Sequence, residues 1–519
     1  MLKWLITFLL ICPTMVQGEQ SSLWTQFIEA SKNGSEPVLP DFSFAGYRYS
    51  EVSIPVVDHK RFDVRDFGAV ADDGKSDKQS IIAAIRAAEK NGSGIVYFPL
   101  GRFDINTADD ELEPIEIRGS NIVFRGEGAD KSTLYFERDL PPRNPKKLYS
   151  SPYAIATLVE DKGDVITRVT SNARRETREI IVEDASGIES GDWVVLEVLS
   201  NSPDLIDYEL GTLTPEPAWT RLLEEGVRVN ERHQVSAVDG NRVSFFEPIH
   251  YDLNAAHGWH IRSFPHLEEV GFENLTFEGG WQSEFVHHRS ARDDGGWSIL
   301  KLSRVVNSWI KDVVFRDVSR PASISASAAT TVLNARIEGH VGHHAISASG
   351  GSTGVLIAAS EDSAGMWHSF GVGGGSTAGT VIWRSSFAAH TSFESHASQP
   401  RTTLFDNVSG GFFPGRAGGA VKNLPNHGMH LVLWNFKEID GPDQDFRFVA
   451  PDSKYWRFVP PIVVGFHGAG TTFHSGQVGV IESLGEPARP ESLFEAQLKH
   501  RLGALPDWML KIRRSLKDK

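Results

Sequence analysis

The distribution of apolar residues divides the chain of 519 residues into regions with different periods. From residue 267 to about residue 410, short apolar runs such as TTVL (330–333) and TVIW (380–383) recur every 22 to 24 residues, with turns between them. β-branched runs of this kind are typical of strands. A fixed period of this length indicates a solenoid, in which each turn buries its inward face on its neighbours. We therefore predict a main coil over residues 263–485.

Between residues 141 and 262 the period is lost. REIIVEDASGIESGDWVVLEV (178–198) and HQVSAVDGNRVSFFEPI (233–249) alternate apolar and polar residues around Gly-Asp and Asp-Gly-Asn turns. Alternation with such turns predicts antiparallel hairpins. The sequence therefore predicts an inserted β-domain, which either flanks a binding cleft or is structural decoration.

The region before the insertion begins with an irregular arm, residues 19–60, and continues as the start of the coil, residues 61–140. Residues 62–103, FDVRDFGAVADDGKSDKQSIIAAIRAAEKNGSGIVYFPLGRF, contain a strand, a turn, a helix and a second strand. Ser76 and Gln79 have the spacing of a capping box for that helix. We interpret the nearby Asp72, Asp73 and Asp77 as a solvated turn, because the downstream glutamate of a calcium loop is missing.

This block resembles the N-terminal segment of the pectate-lyase-like right-handed parallel β-helix superfamily, in which the helix plugs the end of the coil. The resemblance implies an all-β fold: a right-handed parallel β-helix, or solenoid, with an N-terminal capping helix and, here, an inserted antiparallel β-domain. It does not specify the reaction, because lyases, hydrolases, epimerases and phage tailspikes share this fold.

The two ends of the chain suggest export. Residues 1–18 have a basic residue, an apolar run and small residues near the end, as in a secretory signal peptide. Cys12 is the only cysteine, so a chain cleaved after residue 18 contains no disulfide; a lipidated Cys12 is disfavoured by the large Ile11 before it. Residues 486–519 predict a C-terminal helix and tail, whose ESLFEAQLKHRLG segment is similar to the ending of other secreted β-helix polysaccharide enzymes. We expect a secreted or periplasmic protein.

The formal net charge of −15 at pH 7 argues against a nucleic-acid partner. After the signal segment, no apolar run approaches the roughly 20 residues that span a bilayer, so no membrane partner is expected. The negative net charge is compatible with a cleft that is locally positive, because net charge does not describe a single site. We expect a monomer that binds an acidic polysaccharide.

Histidine and arginine recur with the period of the coil. Arg320, His344 and His368 are each 24 residues apart, so they fall at one point of adjacent turns, about 4.8 Å from each other along the axis. The next turn is lengthened, HTSFESHASQPRTTLFDNVSGG (390–411), and brings further ionisable groups to the same end. A file of such groups beside an enlarged loop predicts a cleft within residues 300–410.

Cleavage of a uronate polymer by β-elimination needs a cation to neutralise the substrate carboxylate and a base to remove the proton at C5. Arginine suits the first role because its forked donors match a carboxylate. Histidine suits the second because its ordinary pKa lies near 6.5. We assign catalytic roles to His344, His368, Arg320, His396 and Arg401, and substrate-binding roles to Lys301, His343, Trp367, Glu394 and Asp406.

The lyase branch of the superfamily is the best match. In the alginate and dermatan lyases a Lys and Arg pair serves as base and acid, and the resemblance would place it at Lys301 with Arg304, Arg316 or Arg320. The base therefore stays open between histidine and lysine. No cofactor is indicated, and calcium remains an open alternative.

Three other functions compete with a lyase. An inverting hydrolase would need two acids about 6.5–9.5 Å apart, for which Glu394 and Asp406 are the candidates, with Glu361 and Asp362 one coil earlier. The motif set of polygalacturonase-type hydrolases is not present, which disfavours that reaction. A zinc site would use the histidines at 340, 343 and 344, but we predict no metal. The last alternative is a glycan-binding β-helix without catalysis.

Overall fold

The computed structural model describes residues 18–517, so the predicted signal peptide lies, except for Gly18, outside the described residues. The α-helices are α1 (Ser22–Asn33), α2 (Lys78–Lys90), α3 (Pro203–Leu210), α4 (Ala291–Gly295), α5 (Leu493–Leu502) and α6 (Asp507–Lys517). A π-helical turn covers Arg221–Glu225, and short 3-10 turns cover Tyr47–Ser50, Val64–Phe67, Ala255–His257 and Val421–Asn423. None of the helices within residues 18–517 is both long and apolar enough to cross a membrane.

Three parallel sheets form the coil, as the period predicts, and confirm the β-helix. The first sheet has twelve strands: Arg61–Asp63, Gly94–Phe98, Ile122–Gly126, Gly271–Glu273, Trp309–Lys311, Thr331–Leu333, Leu356–Ala358, Thr380–Trp383, Thr403–Asp406, Leu431–Trp434, Ile462–Val464 and Val480–Glu482. The second has nine: Gly101–Ile105, Ser132–Phe136, Thr276–Gly279, Val314–Arg316, Arg336–Glu338, Glu361–Asp362, Ser386–Phe387, Ser409–Gly410 and Lys437–Glu438. The third has seven: Ile115–Ile117, Ile155–Thr157, Ser298–Ser303, Arg320–Ser325, Ile346–Ser349, Gly371–Gly373 and Glu394–His396.

Two small parallel pairs, Leu267–Glu268 with Val305–Val306 and Asp445–Phe446 with Thr472–Phe473, complete the coil. The inward side chains of the three sheets form one continuous apolar core that runs from Phe62 to Phe473. This core is the reason that strands of only two to six residues are stable: each strand is covered on its inner face, and all but the terminal strands of each sheet are paired on both edges.

The insertion is a separate six-stranded sheet with antiparallel pairing, as predicted. Its strands are Val165–Arg168, Glu179–Ile181, Trp193–Ser200, Val227–Asp239, Arg242–Phe245 and His260–Ser263. The predicted start at residue 141 differs from the structure, because Ile155–Thr157 still pairs in parallel with two strands of the third sheet. So short a strand carries no period of its own, and only its long-range pairing identifies it.

Helix α2 covers the end of the coil, and its buried Ile81 and Ile85 join the coil core. The predicted capping box is wrong. The helix begins after Asp77, whose carboxylate accepts hydrogen bonds from the backbone N–H groups of Val70 and Asp104, at 2.8 and 3.1 Å. The hydroxyl of Ser76 donates to Asp110 and accepts the backbone N–H of Lys78 at 3.2 Å, not that of Gln79 as a capping box requires. The carboxylates of Asp72 and Asp73 likewise accept backbone N–H groups, which agrees with a turn.

The predicted irregular arm contains a helix, α1, which packs with α5 on the outer face of the first sheet. Leu23 and Phe27 of α1 are buried in one cluster with Leu493 and Leu498 of α5. The same cluster includes first-sheet residues such as Val381. Because the partners of α1 lie at the other end of the chain, the local sequence of the arm shows only part of the apolar pattern.

Candidate active site on the third sheet

The outer face of the third sheet carries a row of small residues that ends at an acid. Successive strand pairings align Lys301 with Ser323, Ser323 with Ser347, Ser347 with Gly371, and Gly371 with Glu394. Strand residues in register on parallel strands lie next to each other on the same face. The row therefore has the Lys301 ammonium at one end and the Glu394 carboxyl group at the other, with two serines and a glycine between them.

A second row confirms the predicted 24-residue register. The pairing of Ala322 with Ile346 places Arg320 beside His344, and a β-bridge pairs His344 with His368. Three ionisable groups from three turns therefore follow one another along the axis.

Arg320 and Lys301 form the cationic end of this surface. Arg320 donates from Nε to the hydroxyl of Ser298 at 2.6 Å and from Nη2 to the carbonyl of Ser151 at 3.0 Å. Burial, and then the positive charges of Arg320 and Arg143, lower the pKa of Lys301 below its ordinary value. Within residues 18–517 no carboxylate forms an ion pair with Lys301, Arg320 or Arg143. The cluster is thus a site of unpaired positive charge in an acidic chain.

His344 and Glu394 form a buried pair at the other end. Nε2 of His344 contacts Oε2 of Glu394, while Nδ1 of His344 donates to the carbonyl of Ala345 at 2.9 Å. Burial raises the pKa of Glu394 and lowers that of His344 to about 4, so burial favours the neutral form of both groups. The backbone at Gly418 covers the pair: a Cβ there would lie 3.0 Å from Oε1 of Glu394.

Beside this pair lies a group of aromatic rings from separate segments. Nδ1 of His343 donates to the carbonyl of Asp294 at 3.0 Å, and Nδ1 of His368 donates to the carbonyl of Arg416 at 2.5 Å. The rings of His343 and His368 lie 5.3 Å apart, and each lies 5.3 Å from the ring of His287. Burial lowers the pKa of all three imidazoles, that of His287 to about 4, so each is neutral at pH 7.

Trp367, predicted to bind substrate, belongs to this group, and its indole packs against protein side chains. The guanidinium of Arg416 lies 3.6 Å over the indole, and the imidazole of His287 stacks on it with the ring centroids 5.0 Å apart. Arg416 and His287 therefore occupy the indole surface that a bound substrate would need to contact.

Arg401 and Asp406, predicted as catalytic and substrate-binding residues, lie away from this surface. Arg401 is 1 % exposed and donates to the buried Glu209 of the insertion. Asp406 belongs to the first sheet, and its carboxylate accepts hydrogen bonds from Ser492 and from the first two amides of α5. Both were misplaced because the lengthened turn passes from one sheet to another between residues 396 and 403. His396 remains at the end of the third sheet with an exposed side chain.

The sequence reasoning missed three residues of the site: His287, Arg143 and Arg416. His287 comes from FVHHRS (285–290), a histidine pair in the loop before α4. Arg143 comes from the basic loop PPRNPKK (141–147), which was assigned to the insertion. The histidine pair was a usable signal. No sequence signal indicates the position of Arg416, because that position depends on how a loop folds back over the coil.

Comparisons with known proteins agree with this architecture. Residues 61–191 match the family model described as rhamnogalacturonase A/epimerase, pectate lyase-like. The tailspike protein gp49 from Pseudomonas phage LKA1 superposes with a TM-score of 0.51 at 14 % identity, covering 82 % of this chain and 79 % of the tailspike. The chain is thus similar over residues 61–191 to the pectate-lyase-like family, and it shares the β-helix fold of the tailspike. Residues 365–512 of this β-helix protein match a second family model, the domain of unknown function DUF4955.

Short matches connect this β-helix protein with two alginate enzymes of Azotobacter vinelandii. Over 73 residues, 14 % of the chain, it is 36 % identical to alginate lyase 7 and 33 % identical to mannuronan C5-epimerase AlgE3. These matches cover only 8 % and 4 % of the two relatives.

Proposed function

We propose that the protein cleaves an acidic, uronate-containing polysaccharide by β-elimination. The observation that carries the proposal is the cluster of Lys301, Arg320 and Arg143 on the outer face of the coil, three cations that have no acidic partner within residues 18–517. Lys301 and Arg320 are partly buried and Arg143 is exposed, and like charges held close together are costly unless an anion binds among them. A substrate carboxylate is such an anion. The short similarity to an alginate lyase and a mannuronan epimerase supports a uronate substrate.

Lys301 is the base in this proposal. Its lowered pKa gives a larger neutral fraction than an ordinary lysine has, and no hydrogen bond within residues 18–517 engages its amine. Of the two bases favoured by the sequence, His344 is already engaged by Glu394, and His368 is only 4 % exposed. These contacts support lysine over histidine as the base in this proposal.

The reaction follows from these roles. Arg320 and Arg143 neutralise the uronate carboxylate, which stabilises the negative charge that develops when Lys301 removes the proton at C5. The electron pair of the C5–H bond then forms the double bond between C4 and C5. The C4–O bond breaks, and the departing oxygen takes up a proton.

Inverting hydrolysis has less support, because its proposed acids do not face each other. Glu394 lies on the third sheet, while Asp406 lies on the first sheet beneath α5. Two carboxyl groups on different faces of a coil cannot flank one glycosidic bond.

The test is a substrate panel of alginate, pectate, chondroitin, dermatan and ulvan. Elimination is expected to give products with the ultraviolet absorbance of a conjugated double bond, and Arg320→Gln should abolish it with folding unchanged by circular dichroism. New reducing ends without that absorbance would establish hydrolysis instead. Binding of a polymer without either signal would establish a non-catalytic glycan-binding β-helix.

A further inference from the structure

We propose that His287, His343 and His368 form a binding site for a divalent transition metal of the zinc class. One nitrogen from each imidazole lies within 4.8 Å of one nitrogen from each of the other two. The three residues come from different segments: His287 from the loop before α4, His343 from a turn of the coil, and His368 from the next turn. An ion here would tie two turns of the coil to that loop.

The ring orientations favour metal binding over mutual hydrogen bonding. Nδ1 of His343 and Nδ1 of His368 each donate to a backbone carbonyl, so Nε2 of each ring keeps its lone pair free. Metal-binding histidines use this arrangement, with the second nitrogen bonded to a carbonyl or carboxylate. Nε2 of His287 is buried and has no hydrogen-bond partner among residues 18–517. A buried polar atom without a partner is costly, and a metal ion would satisfy it.

The donor set selects the class of metal. Three neutral imidazoles suit Zn²⁺ and its neighbours in the first row, whereas Ca²⁺ and Mg²⁺ require oxygen ligands. Zinc–nitrogen bonds of about 2.1 Å place tetrahedral ligands about 3.4 Å apart. Side-chain movements of about an ångström would therefore close the set around the ion. Three protein nitrogens leave the fourth position to water.

A second set of nearby ligands, His288, Asp294 and His343, is the competing site. Its carboxylate is already engaged, because Asp294 accepts from Nδ1 of His288 at 2.7 Å and from the backbone N–H of His288 at 3.0 Å. His288 is also exposed, whereas His287 is half-buried. These contacts favour the set that contains His287.

The experiment uses protein without a polyhistidine tag, stripped with a chelator and then titrated with Zn²⁺ by calorimetry and with Co²⁺ by visible absorbance. We expect one ion per chain, a tetrahedral Co²⁺ spectrum, and a rise of the unfolding temperature with Zn²⁺. His287→Ala should weaken binding by more than roughly 100-fold, because loss of an outer-shell group alone costs 10 to 100-fold. His287 makes no hydrogen bond within residues 18–517, so this variant should fold.

The controls are His288→Ala, which removes a ligand of the competing site, and His340→Ala, which removes an exposed histidine bonded to Asp317. Both should bind Zn²⁺ as the wild type does. His343→Ala provides a second loss variant, with folding checked by circular dichroism. Absence of stoichiometric binding, unchanged binding by His287→Ala, or loss in His288→Ala alone would each overturn the site. Because none of these measurements depends on turnover, the result is independent of the proposed lyase activity.

Discussion

Arg401 donates through Nη2 to both carboxylate oxygens of Glu209, each at 2.9 Å, and thereby joins the coil to the insertion across 192 residues of sequence. Both side chains are almost fully buried. The hydroxyl of Tyr251 donates to the same carboxylate at 2.9 Å. This contact identifies Arg401 as a structural residue.

Arg401→Met is expected to lower the free energy of unfolding by about 3–5 kcal/mol, because it leaves Glu209 charged and unpaired in the interior. Denaturant unfolding measures the loss. The double variant Arg401→Met with Glu209→Met should recover most of it, and turnover per folded chain should be unchanged. A catalytic role for Arg401 would instead appear as lost turnover at unchanged stability.

Asp406→Ala is expected to loosen helix α5 from the first sheet. The carboxylate of Asp406 accepts the N–H groups of Leu493 and Phe494 at 3.0 Å each, and these groups begin the helix without a partner inside it. Leaving them unsatisfied should cost about 1–3 kcal/mol. Hydrogen exchange over residues 493–502 should accelerate, whereas Asp452→Ala, at an exposed position, should leave it unchanged. Unaltered exchange in Asp406→Ala would contradict this anchoring role.

Lys301→Ala is expected to reduce kcat by roughly 10²–10⁴, the contribution of a positioned general base. Lys301→Arg should be equally inactive, because a guanidinium does not lose its proton in this pH range. Lys437→Ala is the matched control, since it also removes a strand lysine but from an exposed position. Full activity in Lys301→Ala would assign the base elsewhere.

The activity should rise with pH as Lys301 loses its proton. Its pKa lies below the ordinary lysine value through burial and the neighbouring Arg320 and Arg143, so the rising limb of kcat/KM should lie below that value. Arg143→Ala removes one of the cations and should move the limb to higher pH. Lys146→Ala, in the same loop, should not. If the rising limb of kcat/KM lies at the same pH in Arg143→Ala as in the wild type, the group that titrates is not Lys301.

Stability should depend on pH through the insertion. Burial alone would lower the pKa of His233, but hydrogen bonds to Glu231 and Glu247, each at 3.1 Å, outweigh it and raise the pKa to about 9. The folded state therefore holds this proton more tightly than the unfolded state, whose histidine pKa is about 6.5. The stabilisation is complete below about pH 6.5 and is lost as the pH rises to about 9.

The expected loss over this range is about 3 kcal/mol. Denaturant unfolding between pH 6 and 10 measures it, and His233→Gln should flatten the dependence in this window. A wild-type stability that is constant from pH 6.5 to 9 would show that His233 is neutral in the folded protein.

His344 and Asp406 show how much of the site could be predicted from the sequence. His344 lies at a strand end inside a regular 24-residue period, so its neighbours Arg320 and His368 could be assigned from spacing alone. Asp406 follows a lengthened turn, in which spacing no longer specifies a sheet. The same limit applies to α1 and to His287, whose partners come from other coils or from the other end of the chain.

The sequence by itself determined the coil, its period, its capping helix and the presence of an antiparallel insertion, because each depends on local patterns of burial and turns that repeat along the chain. Only the tertiary structure decided which ionisable groups converge. Pairs such as Lys301 with Arg143, His344 with Glu394, and His287 with His368 are brought together by stacking of turns and by loops that fold across them. Those contacts depend on which turns lie next to each other in space. Sequence spacing predicts these neighbours only while all turns have the same length.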